Sequence, residues 1–512
     1  MKIRARPGGF SIPRGVLWLL LCLLFSPVIS CASSDWSDDV VYFVLIDRYA
    51  DGDSANNRGV ERSNPGGFHG GDLKGLTQRL DDLADLGITA LWINPVQKQI
   101  PQSFYANAPA KLGIPEFRHF GFHGYWIDDF RAMEAHFGSL EELKKLVEEA
   151  HKRNIKVLLD VVYNHAGYAS SYESRRTADG QGWLRIGEGN CEVDPVTCRV
   201  GGLPDFRTEL PEVRDYLLQA NIDLAKQAGV DGFRLDTFKH IETDFWLEHR
   251  RRTRAEISKD FFLLAEHWGG DAKSLDPFFA QDEVDAGFDF SFKGSCEAFV
   301  NGRGRAIAYG SYLGSRHKVR KGYLLAHYLS SHDEPMALYN LNSNKDKFRI
   351  CAAIQMTSLG LPVIYYGEEV ARAGSEWPLN RTNMPWGERD IKPGRGAARD
   401  ETMRDFYKVL LHIRHDHPAL RRGDYTLLSG PQEPVLAYIR HDAASNDSVL
   451  ILVNRDDKEL TADFALPDIW SGRTVADELN NKPQAISAGR ITSPMAPRSV
   501  RIFSIVSGKA GH

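Results

Sequence analysis

The chain lacks a basic excess: 63 lysines and arginines stand against 68 aspartates and glutamates, a net charge of -5 over 512 residues. Neither a nucleic-acid backbone nor an anionic membrane surface is therefore an implied partner, because both call for a cationic face. The apolar run Val16 to Phe25 falls short of the roughly 20 residues that a membrane-spanning helix needs. Internal repeats and low-complexity tracts are absent as well, which excludes repeat architectures. Cysteine is scarce, with six in all. What remains is an ordinary globular composition, 42% hydrophobic and 26% charged, in a chain long enough for one large domain with smaller attachments. A neutral substrate suits this charge balance.

Residues 1–30 read as an export signal and are set aside, since Lys2, Arg4, Arg6 and Arg14 precede the apolar run. The following Val28-Ile29-Ser30-Cys31 resembles the bacterial lipobox, in which the cysteine carries a lipid. The alternative is ordinary cleavage at the small-x-small site Ser30-Cys31-Ala32. Either way export is expected, to a lipid-anchored place at the bacterial envelope through Cys31 or to the periplasm or exterior. Cys191 and Cys198 flank a turn-rich segment suited to a local disulfide. Cys296 and Cys351, in apolar surroundings, read as buried free thiols.

From Val41 onward, short β-branched runs alternate with amphipathic stretches, the pattern of a parallel α/β barrel. The spacing predicts strands at Val41–Ile46, Thr89–Asn94, Lys156–Val162, Gly232–Asp236, Phe261–Glu266, Val284–Phe288, Leu324–Ser330 and Pro362–Tyr366. A helix is expected after Ser139, where Ser139 and Glu142 form a capping box, and another through Leu73, Leu76, Leu80 and Leu83. The fold class expected is a (β/α)8 TIM barrel with an inserted subdomain after strand three and a C-terminal antiparallel β-sandwich. The barrel occupies 36–166 and 204–420, the insertion 167–203 and the sandwich 421–512. A further excursion, Gln97 to His123, reads as a long loop after strand two.

Barrel enzymes build their sites where strands end, so polar residues closing apolar runs are the candidates. Four runs close this way: Asp160 through His165, Gly232 through His240, Leu263 through Trp268, and Ser330 through Glu334. One such residue would be an ordinary turn or cap; four in order form a constellation. These segments, with Gly87 to Pro95 and Leu203-Pro204-Asp205-Phe206, resemble the signature regions of the α-amylase family of glycoside hydrolases. The resemblance covers Val41 to Trp386 well and the sandwich by architecture.

It implies a retaining, endo-acting hydrolase of α-1,4-glucosidic bonds in starch or maltooligosaccharides, using a covalent glycosyl-enzyme. Asp236 is expected as nucleophile, since Arg234 lies two residues earlier on the same strand face and holds it ionised; a plain structural ion pair is the alternative. Glu266 follows the apolar Phe-Phe-Leu-Leu-Ala, surroundings that raise a carboxyl pKa as an acid/base requires. Asp333 resembles the third carboxylate, with His332 beside it and His165 on the glycone side. Tyr125 resembles the stacking platform, though a core aromatic is the other reading for it and Trp126. Lys239 and His240 resemble leaving-group contacts.

Calcium is the cofactor implied. One site resembles the family's Asn164, Asp205 and backbone carbonyl of His240; a second, Asp51, Asp53, Asn56, Asn57, Gly70 and Asp72, resembles an N-terminal loop of cyclodextrin glycosyltransferases. Helix capping is the alternative for Asp72, and turn formation for Asn56 and Asn57. Competing functions are a cyclomaltodextrinase- or neopullulanase-like hydrolase, an α-glucan transglycosylase and a non-catalytic glucan-binding protein. His267 and Trp377 depart from the family pattern, which puts the subsites around the cleaved bond in doubt. The partner expected is the α-glucan itself, acted on by a monomer.

Overall fold

The computed structural model describes residues 35–386, 399–480 and 482–506; the expected export signal and the expected lipid site at Cys31 lie outside them. Eight runs of mostly β-branched, aliphatic and aromatic residues form parallel strands: β1 Val41–Val44, β2 Ala90–Ile93, β3 Lys156–Val161, β4 Gly232–Leu235, β5 Phe262–Ala265, β6 Ala286–Phe288, β7 Leu324–Tyr328 and β8 Leu361–Tyr365. They pair in chain order, and β8 closes on β1 to complete the expected barrel. Most end a residue or two sooner than the sequence predicts, because the closing polar residues leave the ladder to build the rim.

Register positions the site. Asp160 on β3 lies opposite Arg234 on β4, and Leu235 opposite Ala265 on β5. Side chains alternate along a strand, so Arg234 and Asp236 face the same side. Phe43 stacks on Trp92 at 3.7 Å between ring centroids, and the Arg234 guanidinium lies 5.1 Å from the Trp92 ring. Phe43 and Trp92 are both buried, and each contributes about 1.5–3 kcal/mol of apolar burial beneath the charged groups.

The helix Leu140–His151 starts with the predicted capping box. Pro211–Ala228 carries proline at its first position and stops at Gly229, whose φ of 78° suits glycine. The single helix expected through Leu73 and Leu83 is two, Leu73–Gln78 and Leu80–Leu86. Arg79 between them leaves helical geometry, and the Thr77 hydroxyl donates back to the Leu73 carbonyl at 2.7 Å, a local bond that bends helices.

The excursion after β2 is more than the loop expected. It pairs Gln97–Gln99 with Ile127–Met133, and Phe104–Ala106 with Phe117–His119. Three-residue strands are too short to show alternation in sequence. The segment 167–203 holds 3₁₀ turns at Ser171–Ser174 and Val200–Gly202 and a Cys191–Cys198 disulfide. Cys296 and Cys351 are buried and free. After Arg422 the chain forms a six-stranded sheet and a separate pair, Leu460–Ala465 with Arg490–Met495. These enclose their own core around Leu450, Trp470, Ile491 and Phe503.

Candidate active site

The carboxyl rim of the barrel gathers the predicted residues around one guanidinium. Arg234 Nη1 donates to Asp236 Oδ1 at 2.7 Å and to Asp160 Oδ1 at 3.0 Å, while its Nη2 lies 2.5 Å from Glu266 Oε1. All four side chains are buried. One cation therefore serves three carboxyl groups, which leaves them short of positive charge. In the sequence Asp160 only opens a motif, yet in the fold it also accepts from Tyr125 Oη at 2.8 Å and Trp92 Nε1 at 3.1 Å. It is the anchor that fixes Arg234 and Tyr125 together.

Glu266 directly follows β5, and burial raises its carboxyl to about 8 against the pull of Arg234, with Asp236 and Asp333 adding to the rise. Its Oε2 accepts from the Thr237 backbone N–H at 2.9 Å. Thr237 holds a φ of 49°, an uncommon left-handed conformation for a β-branched residue, of the kind that clusters at functional sites. That bend aims the Thr237 N–H at the carboxyl.

Burial works to raise Asp333, but His332, Arg381 and Arg234 outweigh it and hold the carboxyl below its ordinary value. His332 Nε2 lies 3.2 Å from Asp333 Oδ2, and Arg381 Nη2 lies 3.0 Å from Asp333 Oδ1. Burial pushes the His332 imidazole down to about 3, with Asp333 opposing the fall. Tyr125 stacks parallel to His332, with centroids 5.3 Å apart and an interplanar angle of 14°. Tyr125 therefore belongs to the site wall, and Trp126 beside it also lines the cleft while packing against His119 and His123. His165 Nε2 and His332 Nδ1 are buried without a protein partner, two polar atoms set beside the carboxylates that a sugar hydroxyl can satisfy.

On the other side, Lys239 Nζ donates to the Trp268 carbonyl at 3.3 Å. His240 Nδ1 meets the Pro195 carbonyl at 2.7 Å, which fixes the proton there and leaves Nε2 an acceptor. Pro195 sits inside the loop closed by Cys191 and Cys198. His267 turns its ring toward Phe278, 5.3 Å away. Arg381 and Asp160 are the residues that sequence reading left without a role.

Both oxygen clusters assemble. One end of the Asn164 amide lies 2.9 Å from the His240 carbonyl oxygen and 3.2 Å from Asp205 Oδ1. A nitrogen there donates to both; an oxygen there completes a triad of oxygens of the kind a hard cation binds. Asp205 Oδ2 accepts from Arg185 at 2.6 Å. In the second cluster Asn56 Oδ1 and Asn57 Oδ1 are buried without partners, and a Cβ on Gly70, whose φ is 101°, would come within 2.9 Å of Asn57 Oδ1. Asp72 accepts from Asn56, from the Gly52 and Asp53 backbone, and from Gly75 as the cap of Leu73–Gln78. The capping and cluster readings of Asp72 thus coexist. Asp51 is engaged by Arg62 at 2.9 Å, and Asp53 lies at the margin with Lys74 at 3.2 Å.

Known proteins resemble this chain in sequence and in fold. The α-amylase catalytic-domain profile matches residues 43–184 and 197–417. Neopullulanase 2 of Thermoactinomyces vulgaris is 28% identical over 490 residues, covering 90% of this chain and 77% of that protein. A cyclomaltodextrinase from a Bacillus species is 28% identical, covering 82% and 73%. The α-amylase of Geobacillus thermoleovorans, solved with acarbose, superposes with a TM-score of 0.79 at 28% identity, covering 93% of this chain and 100% of that one. With the catalytic profile spanning most of the barrel and the rim carboxylates in place, the chain belongs to the α-amylase family of glycoside hydrolases.

Proposed function

We propose that this enzyme is a retaining hydrolase of α-1,4-glucosidic bonds in short and cyclic maltooligosaccharides. The observation that carries the mechanism is the shared guanidinium: Arg234 touches Asp236 and Glu266 at once. Such crowding fits the carboxyl pair of a retaining enzyme, about 5–5.5 Å apart, better than the wider gap of an inverting one.

Asp236 attacks the anomeric carbon while Glu266 gives its proton to the glycosidic oxygen. The C–O bond breaks, the aglycone leaves as an alcohol, and the glycone is held as an ester on Asp236. Water then passes a proton to Glu266 and attacks the same carbon, restoring the configuration and freeing Asp236. Asp333, Tyr125, His165 and His332 grip the glycone ring, and Lys239 and His240 receive the leaving sugar. The raised Glu266 and lowered Asp333 support an acid and an ionised ring contact on one rim.

The relatives named neopullulanase and cyclomaltodextrinase favour short and cyclic glucans over the internal cleavage of starch that the sequence alone led us to expect. Calcium, held by Asn164, Asp205 and the His240 carbonyl and by the Asp51–Asp72 cluster, would supply fixed positive charge that ties the inserted segment to the barrel. The disulfide supports export to an oxidising compartment. The test is chromatography of products from maltoheptaose, a cyclodextrin, pullulan and amylose, with proton NMR of the first anomer released. An α-anomer from the short or cyclic substrates supports the reading; a β-anomer, or no cleavage, sinks it.

A further inference from the structure

Lys239, Trp268, Trp377 and Arg381 all line the cleft at the barrel rim, and Arg381 ties the Trp377 segment to Asp333. The Trp377 ring lies 5.2 Å from Phe117 and 5.2 Å from His119, both on the excursion after β2. His119 in turn packs edge-on against buried Trp126 at 4.8 Å. Next to this contact Lys111 of the excursion pairs with Glu376. The segment after β8 and the excursion after β2 are thus joined by an aromatic contact and an ion pair.

This wall is held in place from the site itself. Arg381 bonds Asp333, and Asn380 Nδ2 donates to the His332 carbonyl at 2.8 Å. Trp377 is four residues from Arg381, a span of at most about 14 Å even when fully extended. Trp377 therefore lines the same cleft as Asp333, a short reach along the chain from the arginine that holds it.

We infer that Trp377, packed on Phe117 and His119 and clasped by Lys111 and Glu376, closes the glycone end of the cleft. The enzyme accordingly engages chain ends or tightly curved glucans and releases short products, and a long linear chain cannot lie across the site. The inference rests on the hydrolase reading above, which makes the Trp377 end the glycone side. Neither the ion pair nor the ring contact acts on the reacting atoms; they set which chains fit.

The test follows amylose digestion by iodine colour and by reducing ends, and compares kcat/KM on amylose with that on maltoheptaose. In the wild type the colour should fall in step with the appearance of reducing ends. Trp377→Ala should raise the amylose-to-maltoheptaose ratio about tenfold, the scale on which pocket shape discriminates substrates. A Lys111→Ala, Glu376→Ala double variant, altered only at the surface, should shift the ratio the same way by a smaller factor and keep its maltoheptaose rate. Colour lost well ahead of reducing ends in the wild type, or an unchanged ratio in both variants, would overturn the inference. No cleavage of maltoheptaose by the wild type would instead overturn the hydrolase reading, and this inference with it.

Discussion

The guanidinium of Arg381 lies 3.0 Å from the carboxylate of Asp333, from a segment 48 residues further along the chain. It also donates to the His332 carbonyl through Nε at 2.8 Å, so a single side chain fixes the carboxylate and the backbone that carries it.

Replacing Arg381 with alanine should free Asp333 to titrate higher, since Arg381 is among the groups holding its carboxyl down. The acid limb of kcat/KM for maltoheptaose should move to higher pH, and the rate at the optimum should fall by about 10²-fold, as for loss of a charged positioning contact. A pH profile of wild type and variant checks both. Arg381→Lys should recover part of the rate.

On the proposed mechanism Glu266 should set the alkaline limb. Its carboxyl is raised to about 8, burial being the main cause, and only the protonated form can donate to the leaving oxygen. Activity should therefore fall as pH rises through about 8, well above the pH at which an ordinary carboxylic acid loses its proton. A rate that fell off with a pKa near 4–5 would contradict the assignment.

Calcium removal should lower stability. If the clusters around Asn164 and Asn57 hold the ion, dialysis against a chelator should lower the Tm and added calcium should restore it. The linkage is about 2.7 kcal/mol at a free ion concentration of 100 times Kd. Asp205→Asn should weaken the calcium response in differential scanning calorimetry. A chelator-insensitive wild type would remove calcium from the account.

His417 joins the last barrel helices to the C-terminal sheet, with Nδ1 3.0 Å from Asp447 and Nε2 3.8 Å from Glu478. Burial pulls its pKa down, but the two carboxylates more than offset this and raise it to about 9. A folded pKa above the unfolded value of about 6.5 stabilises the fold fully below that pH, and the contribution is lost as pH rises through about 9. The total is on the order of 3 kcal/mol. Denaturant midpoints between pH 6 and 10 should fall for the wild type, and the slope should flatten in His417→Gln.

Much of this was legible in the sequence because it is written locally. Asp236, Glu266 and Asp333 each close an apolar run, and a barrel turns such run-ends into a shared rim. The capping box at Ser139 and the Cys191–Cys198 bridge are equally local. Arg381 on Asp333, Asp160 beneath Tyr125, and Trp377 on Phe117 are not, because each joins segments far apart in the chain. No periodicity reports such contacts. The break at Arg79 escaped for another reason: the leucine spacing continues across it, and only the Thr77 hydroxyl bond and the Arg79 dihedrals mark the bend.

The central claim, that Asp236 forms the glycosyl ester and Glu266 moves the proton, is tested most directly by trapping the ester. In Glu266→Gln, α-maltosyl fluoride can still transfer its maltosyl group to the Asp236 carboxylate, since fluoride leaves without a proton, while the water that releases the sugar finds no base. Intact-protein mass and peptide mapping should then show one maltosyl adduct, on Asp236. An adduct on any other residue, or none while Glu266→Gln still turns over maltoheptaose at the wild-type rate, would contradict it.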